Sequence, residues 1–460
     1  MRKASEFFSV ALFCLPLTIG VAGAANQPQQ MVLPNGLKVI VKEDHRAPVV
    51  VSQVWYKAGS EDEHNGTTGV AHVLEHMMFQ GTKKVPSGEF SKQIAAAGGR
   101  ENAFTNRDHT AYFQTLERSK LELAFKLEAD RMHNLVLSKS TYDKEIEVVR
   151  NERRWRTDDQ PHGQVYEQFM ATAFDANPYR WPVIGWMNDL INMKVEDARA
   201  WYNTWYAPNN AVLVVAGDVQ PAAVFKLAKK YFGPIKPKVL PVRKPQEEPV
   251  QEGIKRVAVK APAKLPYLLM GWKVPVIRDA AKDSDPYALE MLSGVLSANA
   301  AARLPTALVR ESQVAVDADS GYDDIQRGPG LFMIDATPSE GKSVAQLEGD
   351  IRAQIEKLKR DGITEEELNR VKAQVIAAQV YQRDSVFYQA MQIGEMESAG
   401  LGYGAIDTRI AKLKAVTVDQ VRDAAKKYLI DDTLTVATLD PQPLEGKKPV
   451  APPKGLHDAF

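Results

Sequence analysis

Five prolines, Pro234, Pro237, Pro241, Pro245 and Pro249, fall between Gly233 and Gly253 among charges of both signs. No helix interior or central strand tolerates that spacing, so it predicts an extended, solvated linker over 234–253. The chain is thereby cut into two units, 27–233 and 254–440. In the first, strand-like runs at Leu37 to Lys42 and Val49 to Tyr56 flank the turn-forming Glu43-Asp44-His45. In the second, Val257 to Lys260 and Tyr267 to Trp272 take the same places. The ends of the halves repeat too: Asp197, Tyr206, Val214 and Asp218 recur as Asp419, Tyr428, Val436 and Asp440, each time where a helix leads into an apolar strand. Two copies of one unit imply an α+β fold of the α/β sandwich type, with two homologous domains that each pack helices on a sheet. Residues 441–460, with five more prolines, read as an extended tail.

Met1 to Ala24 has a basic start (Arg2, Lys3), an apolar stretch from Phe7 to Ile19 and the small-residue site Ala22-Gly23-Ala24. This is the pattern of a cleaved secretory signal, and Ser9, Pro16 and Thr18 weaken the alternative of a retained membrane anchor. The expected destination is outside the cytoplasm, the periplasm in a Gram-negative cell, with no stable membrane insertion after cleavage. The single cysteine, Cys14, leaves with this segment, so a transition metal must be held by His and carboxylate. Lys+Arg and Asp+Glu are both 58 and hydrophobic residues make up 44%, which excludes a disordered or multi-span membrane chain and leaves no basic field for nucleic acid.

The sharpest chemical signal is His72-Val73-Leu74-Glu75-His76. Residues four apart share a helix face, so His72 and His76 can address one ion with Glu75 beside them. Zn2+ suits imidazole nitrogen, and two neutral rings leave its charge to a third, anionic ligand and an open position for water. The other histidines, His45, His64, His109, His133, His162 and His457, are read as surface or packing residues.

The run is the inverted zincin pattern, and it resembles the zinc motif of the pitrilysin (inverzincin) peptidases. That family draws its third ligand from a glutamate about 76 residues beyond the second histidine, where this chain has Glu152. Glu145, nearly two turns earlier in TYDKEIEVVRNERRWRTDD, is implied to support the site from behind the ligands. GGRENAFTNRDHTAYF, NPYRWPVIG and YAPNNAVLVVAGDV resemble further blocks of the family.

The resemblance implies mainly antiparallel sheets, halves that face each other across a chamber, one Zn2+ per chain and hydrolysis of peptide bonds with Glu75 as general base. It also implies that Asn102 and Ala103 bind an extended peptide at a sheet edge. The second half lacks the metal motif, with Glu290, Ser293 and Gly294 in its place. In the family that half donates an Arg and a Tyr to the substrate carbonyl. Arg310 stands close to the first position, but Val316 occupies the second and cannot donate a hydrogen bond. Either Tyr322 or another donor fills in, or a second chain supplies the pair. The chain is thus expected to be the zinc-bearing subunit of a heterodimer with a related subunit lacking the zinc motif, or else a self-sufficient homodimer. The competing reading is a non-catalytic scaffold or binding subunit of the same fold.

Overall fold

A computed structural model describes residues 27–444, so the signal expected at 1–24 and residues 445–460 of the expected tail lie outside the described residues. Strands β1 (Gln29–Val32), β2 (Lys38–Glu43), β3 (Val49–Tyr56), β4 (Arg100–Thr105), β5 (Thr110–Glu117) and β6 (Ala211–Gly217) form one sheet in the order β1-β2-β6-β3-β5-β4. Strands β7 (Lys255–Pro262), β8 (Tyr267–Val274), β9 (Ala315–Tyr322), β10 (Gly330–Pro338) and β11 (Leu434–Gln442) form a second, in the order β7-β11-β8-β10-β9. Apart from β1 the two orders are the same. In each a parallel pair, β2 with β6 or β7 with β11, joins an otherwise antiparallel sheet. Both sheets are therefore mixed, and each is packed with helices. The last strand runs through Pro441 to Gln442, past the boundary expected at Asp440.

The central strands carry near-continuous apolar runs, VVVSQVWY in β3 and AVLVVAG in β6, because both faces of the first sheet are covered. Val50, Val54 and Tyr56 alternate toward the core of their own half, with Leu213 and Val215 of β6. Val51 and Trp55 point the other way, with Val212, Val214 and Ala216. There they meet Ala390 and Ile393 on the helix Val386–Ser398, which belongs to the second half of the chain. The exchange is reciprocal. Helix Pro161–Ala173 of the first half lays Val165, Phe169, Met170 and Ala173 on β7, β8, β10 and β11, against Val259, Leu269, Leu331 and Ala437.

Glycines let these helices and strands approach closely. A Cβ on Gly394 would stand 2.0 Å from the Trp55 ring, and one on Gly271 would stand 2.3 Å from Phe169. Each aromatic ring of the first half is thus seated on bare backbone of the second, and apolar contact over both faces binds the halves together.

Between them the chain from 236 to 254 has neither helix nor strand. It is nonetheless tied down. Arg243 stacks over Trp205 at 4.6 Å and pairs with Asp62 at 2.5 Å, and Glu248 accepts from the backbone N–H groups of Asp175, Ala176 and Asn177.

Candidate metal centre

The helix Val70–Met77 follows β3 and buries Val70, Ala71, Val73, Leu74 and Met77 in the first core. That apolar face turns His72, Glu75 and His76 to the opposite side. The N-terminal N–H groups of this helix need acceptors, and the buried Glu63 supplies them: its carboxylate accepts from Gly69 at 2.7 Å and Ala71 at 2.8 Å. Gly69 itself has φ 88°, the left-handed region, and a Cβ there would strike the Ile184 carbonyl at 2.4 Å.

A second helix, Lys139–Arg153, starts at Ser138, whose hydroxyl caps Thr141, and buries Tyr142, Ile146, Val149, Glu152 and Arg153. It packs against the first and runs into a π-helical turn, Arg154–Asp158, which begins two residues after Glu152. Such turns gather at functional sites because the widened spacing re-aims side chains.

The two helices bring His72, His76 and Glu152 together: one ligand atom from each lies within 4.8 Å of the others. His76 Nε2 is 3.3 Å from Glu152 Oε2, and His72 Nε2 is 3.8 Å from Oε1. A tetrahedral zinc ion at about 2.0–2.1 Å from each donor separates its ligands by about 3.3–3.5 Å, so the spacing fits with only small adjustment. Glu152 Oε2 is buried and makes no well-formed hydrogen bond, although it points at His76. That is the signature of an acceptor arranged for a cation rather than for a hydrogen.

Electrostatics agrees. Burial lowers His72 to about 4, so its ring is neutral at physiological pH. Burial works against charge on His76 as well, but Glu145 and Glu152 outweigh it and raise this ring to about 9. Burial likewise opposes charge on Glu152, yet His76 and His72 hold its carboxyl down at about 2. The carboxylates thus draw a positive charge to this spot, a proton on His76 that a bound cation would displace.

Other groups complete the surroundings. Glu145 Oε2 stands 3.6 Å from His76 Nδ1, an ion-pair distance, while its other oxygen accepts from Gln80 at 2.9 Å. It addresses the ring nitrogen that faces away from Glu152, where it can fix the orientation of the imidazole. Glu75 is raised by burial, and its Oε2 accepts a 2.5 Å hydrogen bond from Thr105 of β4. Arg156, in the π-helical turn, pairs with Glu152 Oε1 at 3.1 Å. Thr105, Arg156 and Glu63 were not singled out from the sequence. Only Arg156, four residues after Glu152, had a spacing that could have found it.

Asn102 and Ala103 lie on β4, the terminal strand of the sheet, which packs beside the helix of the two histidines. The Asn102 side chain accepts from the Ala103 N–H at 2.9 Å.

Arg310 is not in contact with the groups around the two histidines. It sits exposed in the turn Pro305–Glu311 and bonds to Thr306, and among the described residues no contact ties it to the two histidines, Glu75 or Glu152. Val316 forms a bulge where β9 slips its register against β10, and its side chain is 54% exposed. Tyr322 does not fill in for the missing donor, because its hydroxyl is committed to the Pro275 carbonyl at 2.5 Å. In the second half, the helix Asp285–Ser297 occupies the place of the histidine helix. Its Ser293 and Ser297 bond to Ser320 of β9, and Gly294 packs on Val371. The remaining described histidines are packing or surface groups, as with His109 against Trp55, His162 stacked on Tyr267 and His45 paired with Asp218.

Comparison with known proteins gives the same picture. Residues 38–185 match the family model Insulinase (Peptidase family M16), and residues 192–375 match Peptidase M16 inactive domain. The chain is 35% identical over 377 residues to a zinc protease, PqqE, of Helicobacter pylori, covering 81% of this chain and 84% of that protein. It is 27% identical over 405 residues to an uncharacterized zinc protease of Mycobacterium leprae, covering 86% and 88%. A solved structure of a protease from Helicobacter pylori superposes with a TM-score of 0.85 at 32% identity, over 90% of this chain and all of that one (100%). The first half of the periplasmic protease PqqL from Escherichia coli shares the fold, with a TM-score of 0.74 at 17% identity over 90% of this chain and 91% of that one.

Proposed function

The chain belongs to the M16 (insulinase) family of peptidases, and from that premise we propose that it is a zinc metalloendopeptidase acting on extended peptides or unfolded segments. The observation that carries this reading is the convergence of His72, His76 and Glu152 beside Glu75. When bound there, zinc supplies the Lewis acidity that brings water to a pKa of about 7. The rest falls to the protein. Glu75 takes the proton of the attacking water and hands it to the leaving amine. Glu145 holds the His76 ring in register.

An extended peptide adds to the outer edge of β4 along Asn102 and Ala103, where main-chain hydrogen bonds bind it without demanding a sequence. One zinc per chain is expected, because the second half replaces the ligands with Glu290, Ser293 and Gly294. The leading segment directs export to the periplasm or beyond, and among the described residues no helix is long and apolar enough to cross a membrane.

Val316 leaves the substrate carbonyl without one of the two donors expected from the second half, so a second chain is proposed to supply it. This makes the protein the zinc-bearing subunit of a two-subunit enzyme. The test is cleavage of a quenched, unstructured peptide by the chain purified with and without its native partner. Expected is cleavage that a chelator abolishes and zinc restores, and that the partner increases at least tenfold. A zinc-loaded complex that cleaves nothing across a peptide library would defeat the peptidase reading. Full activity of the chain alone would remove only the partner.

A further inference from the structure

We infer that Thr105 is a positioning residue for Glu75, joining the general base to the strand on which the substrate is seated. Resting on the peptidase reading above, the inference adds a residue that the metal ligands do not require. Thr105 Oγ1 lies 2.5 Å from Glu75 Oε2 and 3.3 Å from Thr110 Oγ1, and Thr110 Oγ1 lies 3.1 Å from the Ala58 carbonyl.

Each threonine has one hydroxyl proton, and both the Ala58 carbonyl and an ionised Glu75 can only accept. Thr110 therefore gives its proton to Ala58, and Thr105 gives its proton to Glu75. That bond fixes Oε2 against β4. The bond engages Oε2 and leaves Oε1 as the oxygen to receive a proton from water.

The second half keeps a tie at the same place but builds it without a carboxylate. There the helix Asp285–Ser297 is tied to edge strand β9 by serines alone, Ser297 Oγ to Ser320 Oγ at 2.9 Å and Ser293 Oγ to the Ser320 carbonyl at 3.2 Å. At this helix–strand join a hydroxyl is aimed at a carboxylate in the half that carries the proposed metal ligands. Thr105 is in the same strand as Asn102 and Ala103, so a peptide added to that edge and the base that serves it share one backbone. A misplacement of about 1 Å at a reacting group costs up to about 100-fold in rate, and this bond guards against it.

Thr105→Val removes the hydroxyl at nearly constant shape, and Thr105→Ser keeps it. The expected result is that Thr105→Val retains zinc and KM but loses about 10- to 100-fold in kcat, whereas Thr105→Ser stays within about threefold of wild type. A readout independent of turnover accompanies it. In crystals of metal-free Thr105→Val the Glu75 carboxylate should leave its place against β4, and in Thr105→Ser it should remain. If Thr105→Val fails to fold, Thr105→Ala and Thr105→Ser are compared in the same two measurements.

Equal losses in the hydroxyl-bearing and hydroxyl-free variants would overturn the inference, as would an unmoved Glu75 in Thr105→Val with unchanged kcat. An inactive wild-type complex would instead count against the peptidase reading, and the crystallographic comparison would still decide the role of Thr105.

Discussion

Glu75→Gln leaves zinc bound and lowers kcat by about 10²- to 10⁴-fold, the range that general acid–base catalysis contributes. Glutamine keeps the size of the side chain and replaces none of the three proposed ligands, so metal content should match that of wild type. It can still accept the Thr105 hydrogen bond through its amide oxygen, which leaves the helix and β4 joined. What it cannot do is take a proton. The loss therefore appears in kcat and in kcat/KM alike, with KM close to that of wild type, because the missing interaction exists only on the way to the transition state. Zinc analysis and steady-state kinetics on one quenched peptide check both halves of the statement. A variant within about threefold of wild type would reject Glu75 as the base.

The second large effect lies away from the metal. Arg327 in the second half reaches into the first, where its guanidinium meets Asp62 at 2.9 Å, Glu61 at 3.1 Å and Asp108 at 3.6 Å. Its backbone N–H also donates to Asp108 at 2.8 Å, and Asp108 accepts the Tyr179 hydroxyl at 2.5 Å. Asp108 and the side chain of Asp62 are buried and Glu61 is partly so, so Arg327→Met leaves clustered carboxylates with less counter-charge. Breaking such an arrangement by removing one partner costs about 3–5 kcal/mol.

The pH dependence has a definite sign. Burial pushes Glu61 up to about 7 even against the pull of Arg327. Between about 4.5 and 7 the folded state therefore binds more protons at this group than the unfolded state, and stability from it falls as pH rises. Without Arg327 that window extends upward, so the variant should be more impaired at pH 8 than at pH 5. Urea denaturation at the two pH values measures this, and a loss below about 1 kcal/mol at both would contradict it. Because Asp108 sits in the turn between β4 and β5, the second half steadies the hairpin whose edge is proposed to take the substrate.

Much of the fold is legible where the signal is local. The runs around Leu37 to Lys42 and Val49 to Tyr56 became β2 and β3, and the recurrence of Asp197, Tyr206, Val214 and Asp218 in the second half reflects two sheets of matching strand order. The apolar run of β3 announces that both faces are covered, but nothing in it says that the outer cover is a helix more than three hundred residues later. The seating of Trp55 on Gly394 is a tertiary fact.

The candidate site divides the same way. His72 and His76 are readable because four residues make one turn of one helix. Glu152 arrives on another helix, and only the family resemblance pointed to it. Thr105 and Arg327 act through pairings that strand register and domain contact create. Tyr322 shows the opposite error, a donor that looked available in sequence and is spent on Pro275 in the fold.

The central claim is that one ion is gripped by two rings from one turn and a carboxylate from a later helix. Anomalous diffraction at the zinc edge from metal-loaded crystals tests it most directly. The expected map has one strong peak per chain, about 2.0–2.2 Å from His72 Nε2, His76 Nε2 and a Glu152 oxygen. A peak elsewhere, or none at those three atoms in fully loaded protein, would contradict it.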